Sequence, residues 1–467
     1  MFRLPLPYKV GGAENGDEKI RCEAATYIWL QENCPSVPIP RLHGFGLSTG
    51  EMFTPIENLP LLTRLVHRIY RQLLAWFKFP VPSKYIRHQG PSPCPLGSGY
   101  LLIDYIEKTE GKMLSCTWEE QHQDTKLRRN LFQGLSRILL DLAHVSLPRI
   151  GSFTVDNNGF LHLANRPLSM VIHQWENEGI PVDIPHQLTY TSVDSYVMDI
   201  LIGIHDNRLR YQPNGASDGK DCIYQISALA AMKTISPLFL RRDLRNGPFF
   251  LSLTDLHASN IMVDEDWNIK CLIDLEWALS SPVEMVQPPH WLANQPITHV
   301  DEKTYEAVFR EFVDILGEAE QELSIQPQHG LSHVMKQAWE MGTFWYALAL
   351  RSPMALIPLF YDRIQPRLAN GHEDNPDFYV IMMQYWTVDT NSFIHQKEAD
   401  KENYERQLRQ AFEDKGDVSV DKDQGADQNE SVDEHENVDK DESVRQNESV
   451  DKDERVEKPD AVEDVPV

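Results

Sequence analysis

The stretch LTDLHASNIMVDEDWNIKCLIDLEWA, from Leu253 to Ala278, decides how this chain is to be read. Asp255 is followed after four intervening residues by Asn260, and Asp274 comes fourteen residues later. This order and spacing are those of a phosphoryl-transfer centre, where one carboxylate serves the attacking hydroxyl and two oxygen ligands hold a metal ion. The residue types follow from the chemistry. A hydroxyl is a weak nucleophile, so a carboxylate within hydrogen-bond reach must orient it and take its proton, which is the part expected of Asp255. Mg²⁺ takes hard oxygen ligands and keeps waters and phosphate oxygens in its shell. One carboxamide oxygen from Asn260 and one carboxylate from Asp274 meet that need.

The residues in between supply the geometry. Ile261-Met262-Val263 and Ile269 to Ile273 read as two short strands, separated by the polar turn-forming run Asp264 to Asn268. A hairpin of this kind carries Asn260 and Asp274 side by side at its open end. Phe249 to Leu253 reads as a further strand that delivers Asp255. The competing reading is an ordinary hairpin with surface acids, since Asp and Asn are common turn residues. The strand-loop-strand context and the third ligand weigh against it.

The same segment resembles the core motif of the aminoglycoside phosphotransferase family, a branch of the kinase-like fold that includes choline and homoserine kinases. The family loop usually reads H-G-D-L-H-x-x-N, with I-D-W or I-D-x-E after the hairpin. Here Leu253-Thr254 stand in place of His-Gly. That histidine is credited with bracing the loop, so its replacement bears on rate more than on reaction type. The match is tight over residues 249–278 and loose over about 1–400, and is closest to the fungal branch of the family. The resemblance implies ATP and Mg²⁺ as cofactors, Asp255 as catalytic base, Asn260 and Asp274 as metal ligands, and the hydroxyl of a small molecule as acceptor. It implies a bilobal α+β fold of protein-kinase type. Residues 1–106 would form a small β-rich lobe with an insertion at about 51–98, and residues 107–413 a larger, mainly helical lobe.

Within the first lobe, Glu18 to Glu32 has helical spacing, with Ile20, Ala24, Tyr27 and Ile28 on one side. By resemblance, Arg3 in Phe2-Arg3-Leu4-Pro5 corresponds to the strand residue that holds the nucleotide phosphates, and Glu23 to the helix glutamate that pairs with it. Pro38 to Gly46 is similar to the family's turn into the next strand. Gly99 to Glu107 reads as a buried strand, and the resemblance makes Asp104, Tyr105 and Ile106 the interlobe connection whose backbone meets the adenine. The glycine-rich hairpin that covers the phosphates in kinase-like proteins would precede Arg3 and is absent from the sequence. Gly11-Gly12 come after that strand, and no G-x-x-x-x-G-K-[ST] occurs. A truncated gene model and a catalytically weak or inactive binding protein on the same scaffold are therefore the alternatives to an active phosphotransferase.

Composition bounds the rest. A chain of 467 residues with 41% hydrophobic residues and a mean hydropathy of -0.42 can build a large core but does not read as a membrane protein. The apolar stretch Phe344 to Tyr361 is interrupted by Arg351, Ser352 and Pro353, and no signal-peptide pattern opens the chain, so the cytoplasm is expected. The net charge of -26 disfavours nucleic acid and is compatible with a cationic acceptor. Cys22, Cys34, Cys94, Cys116, Cys222 and Cys271 lack paired spacing and are expected as reduced packing residues. Residues 414–467 hold 20 acids against 7 bases and no aromatic residue, which predicts a disordered acidic tail, with a protein partner as one reading of it. Helical apolar spacing marks 61–79, 125–146, 190–213, 221–240, 304–322 and 331–350.

Overall fold

In the computed structural model, which describes residues 1–6, 10, 13–89, 97–107, 109–325, 330–369 and 375–416, the apolar runs of the first hundred residues pair into one sheet. Strands β1 (Phe2–Arg3), β2 (Leu42–Gly46), β3 (Glu51–Pro55), β4 (Tyr85–Gln89) and β5 (Tyr100–Ile103) lie in the order β1-β5-β2-β3-β4, antiparallel throughout. Arg3 sits opposite Leu101 on the edge strand. Seven short strands follow: β6 (Lys112–Met113), β7 (Ser152–Val155), β8 (Leu161–Asn165), β9 (Phe249–Leu253), β10 (Ile261–Val263), β11 (Ile269–Leu272) and β12 (Ala278–Pro282). They make three small sheets, β11-β10-β6, β12-β9 and β7-β8, and long helices fill most of the remainder. The class is α+β, as expected. Residues 1–410 constitute one compact unit.

Helix α1 (Ala13–Asn33) is the strut on which the site depends. It packs against β2 and β5 on one side and β7 and β8 on another, so Ile20, Ala24, Tyr27 and Leu30 are almost completely buried. The sequence predicts a one-sided helix. Burial instead reaches Glu18, Lys19 and Glu23, at most 8% exposed, and buried charges are tolerated only when partnered. Glu18 meets Arg166 at 2.8 Å, His173 at 3.2 Å and His186 at 3.1 Å, and accepts from Asn165 at 2.8 Å. Lys19 and Glu23 turn to the candidate site.

Helix α2 (Leu61–Trp76) is unlike the rest. Arg71 faces Glu32 at 3.6 Å, while Leu61, Leu65, Ile69 and Trp76 are all exposed. Its charged side turns toward the protein and its apolar side away from it.

Two expected helices are divided, and one helix was not expected. The 331–350 segment divides into Leu331–Met341 and Thr343–Arg351 around Gly342, whose φ of +81° is a left-handed helix stop that glycine adopts without a Cβ penalty. The 190–213 segment is Val193–Asp199, a π-helical turn Ile200–Asp206 and Asn207–Tyr211. Thr390–Gly416 is one helix that passes the expected tail boundary at 414. The rest of the expected disordered tail, Gly11-Gly12 and Cys94 lie outside the described residues. Phe344, Trp345 and Tyr346 are core, each at most 1% exposed. Five cysteines are free thiols, four of them buried as expected and Cys116 exposed. Among the described residues no helix is long and apolar enough to cross a membrane.

Candidate functional site

The hairpin forms as its sequence predicts. Ile261 pairs with Leu272, the Ile273 N–H donates to the Asn260 carbonyl at 3.0 Å, and Asn260 and Asp274 flank the open end. Asp264 closes the turn by accepting from the Asp266 and Asn268 N–H groups at 3.1 and 2.9 Å. Strand β9 ends one residue before Thr254, whose hydroxyl donates to the Trp277 carbonyl, and β12 begins at Ala278 opposite Leu253. Asp255 is thus held between two anchored strand ends.

Asp274 itself has φ +61°, a left-handed conformation that costs energy for any L-residue, although aspartate tolerates it better than most. Such strain persists where surrounding contacts over-determine it and clusters at functional sites. The contacts here are with Arg3. Its Nη2 reaches Asp274 and, at 3.0 Å, Glu276, while its Nη1 stands 3.5 Å from Glu23. Residues 271 positions apart therefore converge on one cluster. Glu23 Oε1 is buried without a hydrogen bond, so its link to Arg3 is a long ion pair. Burial pushes the Glu23 carboxyl up to about 7, Arg3 works against that shift, and Glu276 and Asp274 add to it. Burial opposes the charge on Arg3, but Glu23, Asp274 and Glu276 together outweigh it and raise its pKa.

Three members of the cluster were assigned no role from the sequence, although Glu276 matches the family's I-D-x-E segment. Lys19 is 2.8 Å from Glu276 and lies over the Trp277 ring at 4.7 Å. The signal was its i, i+4 relation to Glu23, which puts both on one face of α1. Glu276 offers a carboxylate oxygen that lies, with those of Asp255 and Asp274, in a group all within 4.8 Å of one another. The signal was the two-residue offset from Asp274. His257 pairs with Asp255 at 3.3 Å, and that hydrogen bond raises the imidazole pKa against the effect of burial.

The donor set fits Mg²⁺. Asp255, Asp274 and Glu276 are hard oxygen donors in reach of a common point, and the Asn260 amide nitrogen is committed to the Asp255 carbonyl at 2.8 Å, which leaves its carboxamide oxygen to act as a ligand. Arg3 holds one oxygen of Asp274, a contact that competes with a cation for the same group.

Asp104, Tyr105 and Ile106 follow β5 without regular secondary structure. Asp104 binds His43 at 2.6 Å and accepts from the Arg41 N–H at 3.1 Å, while Tyr105 is exposed. None of the three appears among the contacts of the Arg3 cluster.

Two cavities, of about 240 and 180 Å³, share Thr254, Asp255 and Arg351 as lining residues. Trp291 donates to the Leu256 carbonyl at 2.8 Å and ties the loop to the wall of the larger one. His290 lies in the same wall, and burial, reinforced by Arg351 and His257, lowers its pKa to about 4.

Comparison with known proteins matches no family model, no curated protein and no solved structure.

Proposed function

We propose that this chain is an ATP- and Mg²⁺-dependent phosphotransferase of the aminoglycoside phosphotransferase type, built on a bilobal kinase-like fold and acting on the hydroxyl of a small molecule. The observation that carries the reading is the convergence of Arg3, Glu23 and the Asp274–Glu276 pair, from three separate parts of the chain, beside the loop that bears Asp255 and Asn260. Ion-paired surface residues have no reason to assemble so, whereas a phosphate site needs a permanent cation next to metal-binding carboxylates.

In this reading Asp255 orients the acceptor hydroxyl and takes its proton. His257 holds Asp255 in place through their 3.3 Å contact. Asn260, Asp274 and Glu276 would hold the metal, which when bound neutralises charge on the phosphates. Arg3 exchanges part of its contact with Asp274 for phosphate oxygens, and Glu23 and Lys19 keep the guanidinium and Glu276 in position. The shared cavities beside Asp255 receive the acceptor.

The contact between Arg3 and Asp274 also favours a second reading, a binding protein on the same scaffold in which an ion pair takes the metal's place. Transfer or hydrolysis of labelled ATP with a hydroxylated-metabolite library separates the two. Mg²⁺-dependent turnover that is abolished by Asp274→Ala, with the melting temperature retained, is the expected result. ATP binding without turnover favours the second reading, and turnover undiminished in Asp274→Ala removes the metal assignment.

A further inference from the structure

We propose that the acceptor is an acid: a small hydroxy-carboxylate with an apolar body, its hydroxyl at Asp255 and its carboxylate at Arg351. This deepens the phosphotransferase reading and rests on Asp255 as the group that orients the hydroxyl. The chain's net charge of -26 suggests the opposite, a cationic acceptor. The cavities themselves argue otherwise.

Arg351 lines both cavities that share Asp255. Its side chain is exposed to water at the cavity wall. Its guanidinium donates to the Met285 carbonyl, and among the described residues no carboxylate pairs with it. The titratable groups that act on it are neutral: Tyr196 and Tyr305, with His290 on the same wall. A guanidinium carries five donors in a planar fork that suits a carboxylate. A cation is favoured at the C-terminus of a helix, where Arg351 sits, but that preference is met at any exposed helix end and does not require a cavity. Gln287, another lining residue that is 9% exposed, has an amide nitrogen with no hydrogen-bond partner among the described residues. The wall therefore holds a cation and an unpaired amide donor, and among the described residues Asp255 is the only acid lining either cavity.

Leu135, Ile138, Leu142, Phe312 and Trp291 line the remainder of the larger cavity. A polyhydroxylated sugar acid would leave its hydroxyls facing these side chains, and an unpaired buried hydroxyl costs more than a buried hydrocarbon gains. A hydrocarbon or aromatic body suits them, as ligand cavities in general combine apolar walls with a few polar groups that fix orientation.

Three probes of nearly one shape isolate the charge: 3-phenyllactate (anion), 3-phenylpropane-1,2-diol (neutral) and phenylalaninol (cation). Their affinities are measured by titration calorimetry on the full chain without nucleotide, so the readout does not depend on phosphoryl transfer. The expected result is phenyllactate binding at least tenfold tighter than either analogue. Arg351→Met removes that preference while leaving diol affinity unchanged, and Arg351→Lys keeps part of it because a point charge replaces the planar fork. Should Arg351→Met fail to fold, the lysine variant and the ranking of the three probes decide. Phenylalaninol binding as well as phenyllactate, phenyllactate affinity equal in Arg351→Met and the parent, or no binding by any probe would each overturn the proposal. Arg351-dependent acid binding in a protein that never turns over ATP would leave the carboxylate site at Arg351 standing and remove the phosphotransferase reading. Turnover of a cationic alcohol would do the reverse.

Discussion

Replacing Glu18 with glutamine tests whether the buried network at the base of α1 sets the position of the site. Glu18 meets Arg166 through two hydrogen bonds of 3.0 and 2.8 Å and is further bonded by Asn165 and His173. Burial alone raises a carboxyl pKa. Here the hydrogen bonds from His173 and Arg166 and the Arg166 charge outweigh it and bring the group down to about 2. With an unfolded value near 4.5, the gap of 2.5 units corresponds to about 3 kcal/mol at neutral pH, at 1.36 kcal/mol per unit. A depressed folded pKa contributes stability that is fully present above the unfolded pKa and is lost as pH falls through the folded one. The contribution thus shrinks from about 3 kcal/mol at pH 7 to about 1.4 kcal/mol at pH 3. Glutamine keeps the shape and an acceptor but leaves Arg166, 1% exposed, with Glu176 as its remaining carboxylate. Urea denaturation of Glu18→Gln and the parent should differ by about 3 kcal/mol at pH 7 and by less than half as much at pH 3. A difference below about 0.5 kcal/mol at pH 7, the scale of an ordinary surface substitution, would refute the reasoning, as would one independent of pH.

Two further substitutions probe the same frame. Glu23 has the opposite sign: its folded pKa is raised to about 7, mainly by burial, so its ionisation removes stability as pH climbs from the unfolded value through the folded one. Glu23→Gln should therefore be more stable than the parent by about 3 kcal/mol at pH 8 and nearly equal to it at pH 4, while weakening ATP binding; lower stability at pH 8 would contradict this. Gly342→Ala forces a Cβ into a left-handed turn with Arg367 and the Phe239 ring each 3.1 Å away, and should cost about 1–2 kcal/mol by urea titration. A neutral effect would mean that the break between the two helices does not depend on glycine.

The hairpin segment from Phe249 to Asp274 was legible in the sequence because its signals are local. Strand propensity, a turn run and a fixed spacing set β10, β11 and the open end with Asn260 and Asp274, and the structure reproduces them to within a residue. Arg3 and Glu23 could be nominated by resemblance alone, since neither carries a local signal, yet the fold brings them within 3.5 Å of each other. Lys19, Glu276 and His257 were assigned no role because their roles depend on which long-range partners meet them. The burial of α1 on nearly all sides was hidden for the same reason: its polar residues look solvent-facing until Arg166, His173 and Arg3 arrive from elsewhere. The helix break at Gly342 was written in a residue type, but a single glycine inside an apolar run is tolerated often enough that periodicity overrode it. Arg351 broke an apolar stretch and was read only as an interruption. Its place beside Asp255 is a property of the cavity walls, which no spacing encodes.

The most direct test of the central claim is the separation of rate from affinity in Asp255→Asn. Asparagine keeps the shape and hydrogen-bonding capacity of Asp255 but cannot take a proton, and general-base contributions are of the order of 10²–10⁴ in rate. Steady-state transfer from Mg²⁺-ATP, with ATP affinity measured in parallel by calorimetry, should show kcat lowered by roughly 10²–10⁴ and the Kd for ATP within about threefold of the parent. An Asp255→Asn protein that turns over at the parent rate, or that loses ATP binding while keeping its rate at saturation, would contradict the account.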